Sequence, residues 1–150
     1  MKRLALGALL AFLVVGAGSA ADVFDWTTDL DAALEQAAEE ERAVFVYFAG
    51  TDWCGWCHRL MDEVLHTTPF QEYAEEALVP VLIDFPRDRE QSAEERSANN
   101  DLAREYRITG FPRIVLLSPS EEVILETGYL PGGPANYIDQ LRSAIASYEG

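Results

Sequence analysis

The sequence alternates apolar segments typical of β-strands with segments of helical periodicity, and this alternation restricts the chain to the α/β class. The apolar, β-rich run of residues 43–49 predicts a buried central strand. Similar runs follow at residues 78–85 and 113–117, and the last of them continues through a tight turn into a hairpin partner at residues 123–127. Because the alternation ends in a hairpin, we expect one domain with a central mixed sheet and helices on both faces.

Capping signals and apolar stripes place the helices. A threonine at position 27 or 28 would cap the first helix, and Ser92, with Glu95 three residues later, resembles a capping box that opens another. A further helical pattern begins at Cys54, and a short strand at residues 23–26 would add an edge to the sheet. The last helix would turn an apolar face inward that consists of Tyr137, Ile138, Leu141, Ile145 and Tyr148.

Residues 1–21 have the three-part layout of a secretory signal peptide. Lys2 and Arg3 form a short positive region, residues 4–15 are apolar without interruption, and small residues complete the segment. The apolar run is too short to cross a bilayer comfortably as a helix. We therefore expect cleavage that leaves a domain of residues 22–150 in the periplasm or outside the cell, not bound to a membrane; an uncleaved N-terminal anchor is the alternative.

The charge balance excludes several classes of partner. The net charge is −15, with 26 acidic against 11 basic residues, and removal of the two basic residues of segment 1–21 takes it from −15 to −17. Such a charge disfavours nucleic acids and anionic membrane surfaces as ligands.

The chain has two cysteines, three residues apart. A framework of structural disulfides needs more cysteines spread along the chain, so this spacing in an exported protein indicates redox chemistry.

The candidate site is the Trp-Cys-Gly-Trp-Cys-His segment at residues 53–58. Cys54 would lie at the start of a helix, where unpaired N–H groups and the positive end of the helix dipole lower the pKa of a thiol. Cys57 would lie one turn further on and deeper, so Cys54 would attack a partner disulfide and Cys57 would resolve the mixed disulfide. Asp52 would raise the pKa of Cys54, and Arg113 would either counter that effect or have no role in the site.

These features resemble those of the thioredoxin family over about residues 22–148. The resemblance rests on the buried strand that leads into Trp53 and the cysteine pair, on the Phe-Pro pair that ends at Pro112, and on the closing helix. Residues 50–57 and 128–134 are also similar to segments of small exported bacterial thioredoxin-like proteins.

The resemblance implies a three-layer thioredoxin-like fold and a thiol–disulfide oxidoreductase whose catalytic residues are Cys54 and Cys57. It also implies that Pro112 is a cis proline beside the active disulfide. The partners would be protein thiols or disulfides and an unidentified redox partner, and the chain would be a monomer. No organic cofactor or metal is expected, because two thiols suffice for the chemistry.

The residues around the cysteines support this interpretation to different degrees. Gly55 and Trp56 stand where thioredoxin has glycine and proline between its cysteines. Trp53 and Trp56 would flank the sulfurs and offer an apolar docking surface, or would pack in the core. His58 would support the thiolate when protonated, or would simply be an exposed residue of the first helical turn.

The proton acceptor for Cys57 is an open question. Thioredoxin has a buried aspartate in the strand before the motif, and the nearest positions here are Tyr47 and Phe48. Glu63, Asp84 and water are the remaining candidates. The direction of the reaction is open as well, since a reductant, an oxidant and an isomerase all use such a pair.

Three other functions fit parts of the pattern. Residues 54–58 match the Cys-x-x-Cys-His motif of c-type haem attachment, although the strong strands argue against a small cytochrome. The two cysteines with His58 and His66 would be a metal site, but zinc sites usually take ligand pairs from separate segments. The third is a non-catalytic thioredoxin-fold module that binds other proteins or acts as a chaperone.

Overall fold

The apolar run at residues 43–49 forms the centre of the sheet in the computed structural model, which describes residues 25–149. The predicted signal peptide, residues 1–21, lies outside the described residues. The strands are β1 (Ala43–Ala49), β2 (Leu78–Asp84), β3 (Arg113–Leu117) and β4 (Val123–Thr127). The helices are α1 (Leu30–Glu40), α2 (Gly55–Leu60), α3 (Thr68–Ala77), α4 (Ala93–Glu105) and α5 (Gly133–Glu149), and a π-helical segment, Met61–Leu65, continues α2.

The sheet is mixed, as predicted. Its order is β2-β1-β3-β4, with β1 parallel to β2 and antiparallel to β3, and with β3 antiparallel to β4. All seven residues of β1 are buried because helices cover both faces of the strand. Phe45 and Tyr47 pack with α2, α3 and α5, whereas Val44, Val46 and Phe48 pack with α1 and α4. These three layers confirm the predicted α/β class, with a central mixed sheet and helices on both faces.

The start of the described chain differs from the prediction. Asp29, not a threonine at 27 or 28, caps α1, and its carboxylate accepts a hydrogen bond from the N–H of Ala32 at 3.0 Å. Thr27 instead forms an isolated parallel bridge with Val81 of β2. The predicted edge strand at residues 23–26 is therefore reduced to this single bridge over the described residues, and positions 23 and 24 lie outside them. Thr27 lies two residues before the N-cap: its hydroxyl accepts a hydrogen bond from the N–H of Asp29 at 3.1 Å, and its backbone pairs with Pro80 and Leu82.

Other boundaries shift for local reasons. The helix that begins after Cys54 is not uniform, because its second half, Met61–Leu65, is π-helical. Ser92 does cap α4, but the carboxylate of Glu95 accepts a hydrogen bond from Gln91, so half of the capping box forms. Tyr148 was expected to face inward and is instead 43% exposed, with its hydroxyl hydrogen-bonded to Glu122.

Within residues 25–149, no helix combines the length and apolarity needed to cross a membrane.

Candidate active site

The two cysteines lie where β1 ends and its connecting loop, residues 50–53, enters α2. Cys54 is the N-cap of α2 and forms a disulfide with Cys57, with an S–S distance of 2.20 Å. Cys54 is 6% exposed and Cys57 is 1% exposed, which agrees with the predicted order of depth. The N–H of Cys57 donates to the Cys54 sulfur at 3.2 Å. A thiolate formed on Cys54 would therefore meet a hydrogen-bond donor that is already in place.

A buried carboxylate holds the loop that precedes the cysteines. Asp84, at the end of β2, is 4% exposed and accepts hydrogen bonds from the N–H of Thr51 at 2.9 Å and from its hydroxyl at 2.7 Å. Arg89 forms an ion pair with the same carboxylate at 2.6 Å. Sequence reasoning considered Asp84 as a proton acceptor for Cys57, whereas its observed partners make it an anchor for the active-site loop.

An Asp84→Asn variant is expected to lower the free energy of unfolding by about 2 kcal/mol, because an amide cannot satisfy both Thr51 and Arg89. Urea-induced unfolding, followed by circular dichroism, measures this change. Glu126→Gln is the matched control, since Glu126 forms an ion pair with Arg113 in which both side chains are more than 40% exposed. Its expected cost is below about 1 kcal/mol. Equal costs for the two variants would contradict the anchoring role of Asp84.

Asp52 is attached to the neighbouring loop and not to an arginine. Its carboxylate accepts hydrogen bonds from the backbone N–H groups of Arg87 and Asp88 at 2.7–3.1 Å. Desolvation raises the pKa of Asp52, but the backbone hydrogen bonds, first those from Asp88 and Arg87, together outweigh it and leave the pKa below its usual value. Arg113 does not counter this charge, because its guanidinium is paired with Glu126 at 2.8 Å. Of the two alternatives for Arg113, the structure therefore agrees with the one in which it has no role in the site, and it forms a cross-strand ion pair instead.

Trp53 joins the active-site loop to two other loops. Its indole Nε1–H donates to the carbonyl of Phe85 at 2.8 Å, and the guanidinium of Arg87 lies 3.5 Å from its ring centroid. The ring also packs edge-on against Phe111 at 5.9 Å. The peptide bond between Phe111 and Pro112 is cis, as the resemblance implied. Trp53 is half-buried and acts as a structural link between the cysteines and the cis-proline turn.

Trp56, by contrast, is an exposed aromatic residue between the two cysteines. Its side chain is 55% exposed, and its ring contacts Tyr129 at 5.3 Å and the guanidinium of Arg59 at 5.4 Å. Glu63 holds this group together by accepting hydrogen bonds from Arg59 and from the hydroxyl of Tyr129. Those hydrogen bonds lower the pKa of Glu63. We call Trp56, Arg59, Glu63 and Tyr129 the Trp56 cluster.

Sequence reasoning found Trp56 but missed the residues that hold it. The four-residue spacing of Arg59 and Glu63 was a signal for an ion pair on one helix. Nothing local indicated that Tyr129, 66 positions from Glu63, would complete the cluster. Glu63 was also a candidate proton acceptor for Cys57, and its carboxylate is instead engaged at the surface.

Tyr47, and not Phe48, lies on the face of the sheet that packs with the cysteines. Phe48 lies on the opposite face of the sheet and packs against Tyr106. The Tyr47 hydroxyl donates to the backbone carbonyl of Cys57 at 3.2 Å.

The ring of His58 is exposed in the first turn of α2. It is hydrogen-bonded through Nε2 to the carbonyl of Thr51 at 2.6 Å.

The haem and metal alternatives depend on the same two sulfurs. The sulfurs of Cys54 and Cys57 are bonded to each other in this structure. No cluster of three or more histidine, cysteine, aspartate or glutamate side chains in residues 25–149 is arranged to hold a metal ion.

Comparison with known proteins places the chain among thioredoxin-like proteins. Residues 30–144 match the profile of the thioredoxin-like domain. The chain is 34% identical over 113 residues to the disulfide bond reductase DsbH of Chlamydia pneumoniae, which covers 75% of this chain and 68% of DsbH. It is 31% identical over 107 residues to the thioredoxin-related protein DsbJ of the same organism, covering 71% of this chain but 31% of DsbJ. A solved structure of a DsbH oxidoreductase superimposes with a TM-score of 0.77 at 29% identity and covers 93% of this chain and 95% of that one.

Proposed function

The chain belongs to the thioredoxin-like family and is a thiol–disulfide oxidoreductase that uses the Cys54–Cys57 pair, and from this premise we propose that it is a reductant of protein disulfides in an exported compartment. The position of Cys54 supports its role as the attacking cysteine, and the direction of the reaction rests on the surroundings of Cys54. This residue is an N-cap whose sulfur accepts the N–H of Cys57, with the second sulfur one turn further into the core.

The reaction follows from these positions. The Cys54 thiolate attacks one sulfur of a substrate disulfide, forms a mixed disulfide and expels a substrate thiolate, which takes a proton from water. The Cys57 thiol then loses its proton, attacks the Cys54 sulfur and releases the second substrate thiolate. Two electrons pass to the substrate, and the Cys54–Cys57 disulfide is the oxidised product. An external donor must reduce this pair before the next cycle.

The surroundings of Cys54 support reduction over oxidation. A strongly oxidising pair is one whose reduced form is stabilised, chiefly through a stabilised thiolate. Here the His58 ring is bound to Thr51, and the carboxylate of Asp52 lies two residues before Cys54. The thiolate therefore gains little beyond the helix N-terminus and the N–H of Cys57. The similarity to a protein named a disulfide bond reductase agrees with this direction.

Exposed apolar surface and the cis-proline turn support protein substrates. Trp56 presents an aromatic ring to solvent beside the cysteines, and Trp53 packs against the residue that precedes Pro112. In this proposal Trp56 and Pro112 contact the substrate, whereas Trp53, Gly55 and His58 shape the loop and the first helical turn.

Export is proposed from segment 1–21. Cleavage of this segment can be tested by determining the N-terminal sequence of the secreted protein.

The reduction potential tests the direction. Protein lacking residues 1–21 is equilibrated with defined ratios of reduced and oxidised dithiothreitol, and its free thiols are trapped and counted. We expect a value nearer to that of thioredoxin, about −270 mV, than to that of the periplasmic oxidant DsbA, about −120 mV. A value near the second would make the protein a disulfide donor. A pair that does not titrate reversibly would favour a binding module over a redox enzyme.

A further inference from the structure

Tyr47 places a buried hydroxyl directly beneath the resolving cysteine. Its side chain is 1% exposed and belongs to the same core cluster as Cys54 and Cys57. The hydroxyl donates to the Cys57 carbonyl at 3.2 Å, which is long for an O–H···O bond. Tyr47 is therefore in contact with the residue that must act second in the reaction, although it is not part of the cysteine motif.

The Cys57 carbonyl does not depend on Tyr47 for a hydrogen bond. The backbone N–H of Met61 also donates to it, as expected within a helix. If the tyrosine hydroxyl turned away, the carbonyl would keep a partner and no buried acceptor would be left unsatisfied. The hydroxyl is thus free to change partners at small cost.

When the disulfide is reduced, a thiolate on Cys57 requires a hydrogen-bond donor. Cys57 is 1% exposed, and a buried thiolate without a hydrogen bond is strongly disfavoured. The two carboxylates considered for Cys57 are bound elsewhere, Glu63 to Arg59 and Tyr129, and Asp84 to Thr51 and Arg89. Neither carboxylate can donate a hydrogen bond to an anion when it is ionised.

We propose that the Tyr47 hydroxyl moves from the Cys57 carbonyl to the Cys57 sulfur on reduction and stabilises the thiolate that resolves the mixed disulfide. The inference rests on the proposed function, because it concerns the second step of that reaction. In this step the Cys57 thiol gives its proton to water, its thiolate attacks the Cys54 sulfur, and the bond between Cys54 and the substrate breaks. The departing substrate thiolate takes a proton from water, and the tyrosine keeps its own.

The environment of Tyr47 keeps it a donor. Burial, and secondarily the charge of Asp84, raise the pKa of Tyr47 far above its ordinary value, so the phenol stays protonated. The other ionisable groups in the core around it are Tyr137 of α5, whose pKa burial also raises, Cys54, and Tyr73 of α3, whose ring lies against Arg142. These groups remain in a variant that changes Tyr47 alone, so they do not account for a difference between that variant and the parent.

Tyr47→Phe removes the hydroxyl and keeps the ring. Tyr137→Phe is the matched control, because Tyr137 is equally buried in the same core and its hydroxyl donates to the Gly128 carbonyl at 3.0 Å. Rapid mixing of each reduced protein with a disulfide-linked peptide, followed by acid quenching at a series of pH values, separates the attack of Cys54 from the resolution by Cys57.

The Tyr47→Phe variant is expected to attack at the parental rate. The pH midpoint of its resolution step should rise by about one unit, the effect of losing one hydrogen bond to a charged group. Near neutral pH this reduces the thiolate population about tenfold, and the greater nucleophilicity of the more basic thiolate limits the slowing to about threefold. Tyr137→Phe should change neither the midpoint nor the ratio of the two rates.

Several results would overturn the proposal. An unchanged midpoint in Tyr47→Phe would do so, and so would equal slowing of attack and resolution in both variants, which would indicate a role in packing alone. A second measurement uses the Cys54→Ser background, where the ultraviolet absorbance of the thiolate titrates Cys57 directly. Adding Tyr47→Phe to this background should raise the pKa of Cys57, and equal values would also overturn the proposal. If the parent protein formed no mixed disulfide, the proposed function itself would fail, and the thiolate titration would still judge Tyr47.

Discussion

Replacement of Cys57 by serine is expected to stop turnover and to trap the substrate on the protein. Cys54 keeps its N-cap position and can still attack a disulfide, but a serine hydroxyl does not displace the substrate thiol. Turnover in a disulfide-reduction assay should fall by at least about a hundredfold, while a covalent adduct accumulates. Non-reducing gel electrophoresis and mass spectrometry of the adduct measure the trap, and its mass identifies the substrate when the variant is expressed in the exported compartment.

The Cys54→Ser variant is the matched control. Its remaining thiol, Cys57, is 1% exposed and should not reach a folded substrate, so neither turnover nor an adduct is expected. Stable adducts from Cys54→Ser but not from Cys57→Ser would reverse the assigned order of the two cysteines. Unchanged biochemical and cellular behaviour of both variants would instead support the non-catalytic binding module.

The parts of the fold that sequence reasoning predicted are those set by local pattern. A run of seven apolar residues, Ala43–Ala49, has to be covered on both faces, and it became the buried strand β1. The hairpin of β3 and β4 follows from two short apolar runs separated by a tight turn. The position of Cys54 at a helix start was likewise predictable, because helical periodicity begins immediately after it.

The parts that were missed depend on partners distant in the sequence. Asp84 binds Thr51 across 33 positions, and no spacing rule indicates that its carboxylate anchors the active-site loop. Thr27 is not the cap of α1 but pairs through its backbone with the edge of β2, more than 50 positions away in the sequence. Tyr148 satisfies the apolar periodicity of α5, but its hydroxyl finds a polar partner in Glu122 at the surface. Local signals propose such roles, and tertiary contacts select among them.

The candidate active site likewise combines features that local sequence predicts with features that depend on residues distant in the sequence. The motif identifies which sulfurs react, but the residues that set their environment come from β1, β2 and the segment after β4. Tyr47 and Phe48 are the positions nearest to the buried aspartate of thioredoxin, and the face of the sheet and the contact with the Cys57 carbonyl distinguish Tyr47 from Phe48. A tyrosine there supplies a donor and not a base, which changes the expected chemistry of the second step.

Gly50→Ala is expected to be the most damaging single-methyl change in the active-site loop. A Cβ at position 50 would lie 2.3 Å from Cε2 and 2.4 Å from Nε1 of Trp53, distances that no packed structure accommodates. The indole cannot move aside freely, because its Nε1–H is hydrogen-bonded to the carbonyl of Phe85 and its ring packs against Arg87 and Phe111. We expect the free energy of unfolding to fall by about 3 kcal/mol, the upper range for overpacking.

Gly55→Ala provides a matched control within the same segment. A Cβ at position 55 meets no atom within 4 Å, and an alanine in the first turn of α2 should change the free energy of unfolding by less than about 1 kcal/mol, in the stabilising direction. Denaturant unfolding monitored by tryptophan fluorescence compares the two variants.

The carbonyl of Gly50 also accepts hydrogen bonds from the N–H groups of Trp53 and Cys54, at 3.2 and 2.8 Å. A displaced indole should therefore shift the N-cap, so Gly50→Ala should also slow the attack of Cys54. Parental stability and a parental attack rate in Gly50→Ala would mean that Trp53 does not fix the position of the reactive sulfur.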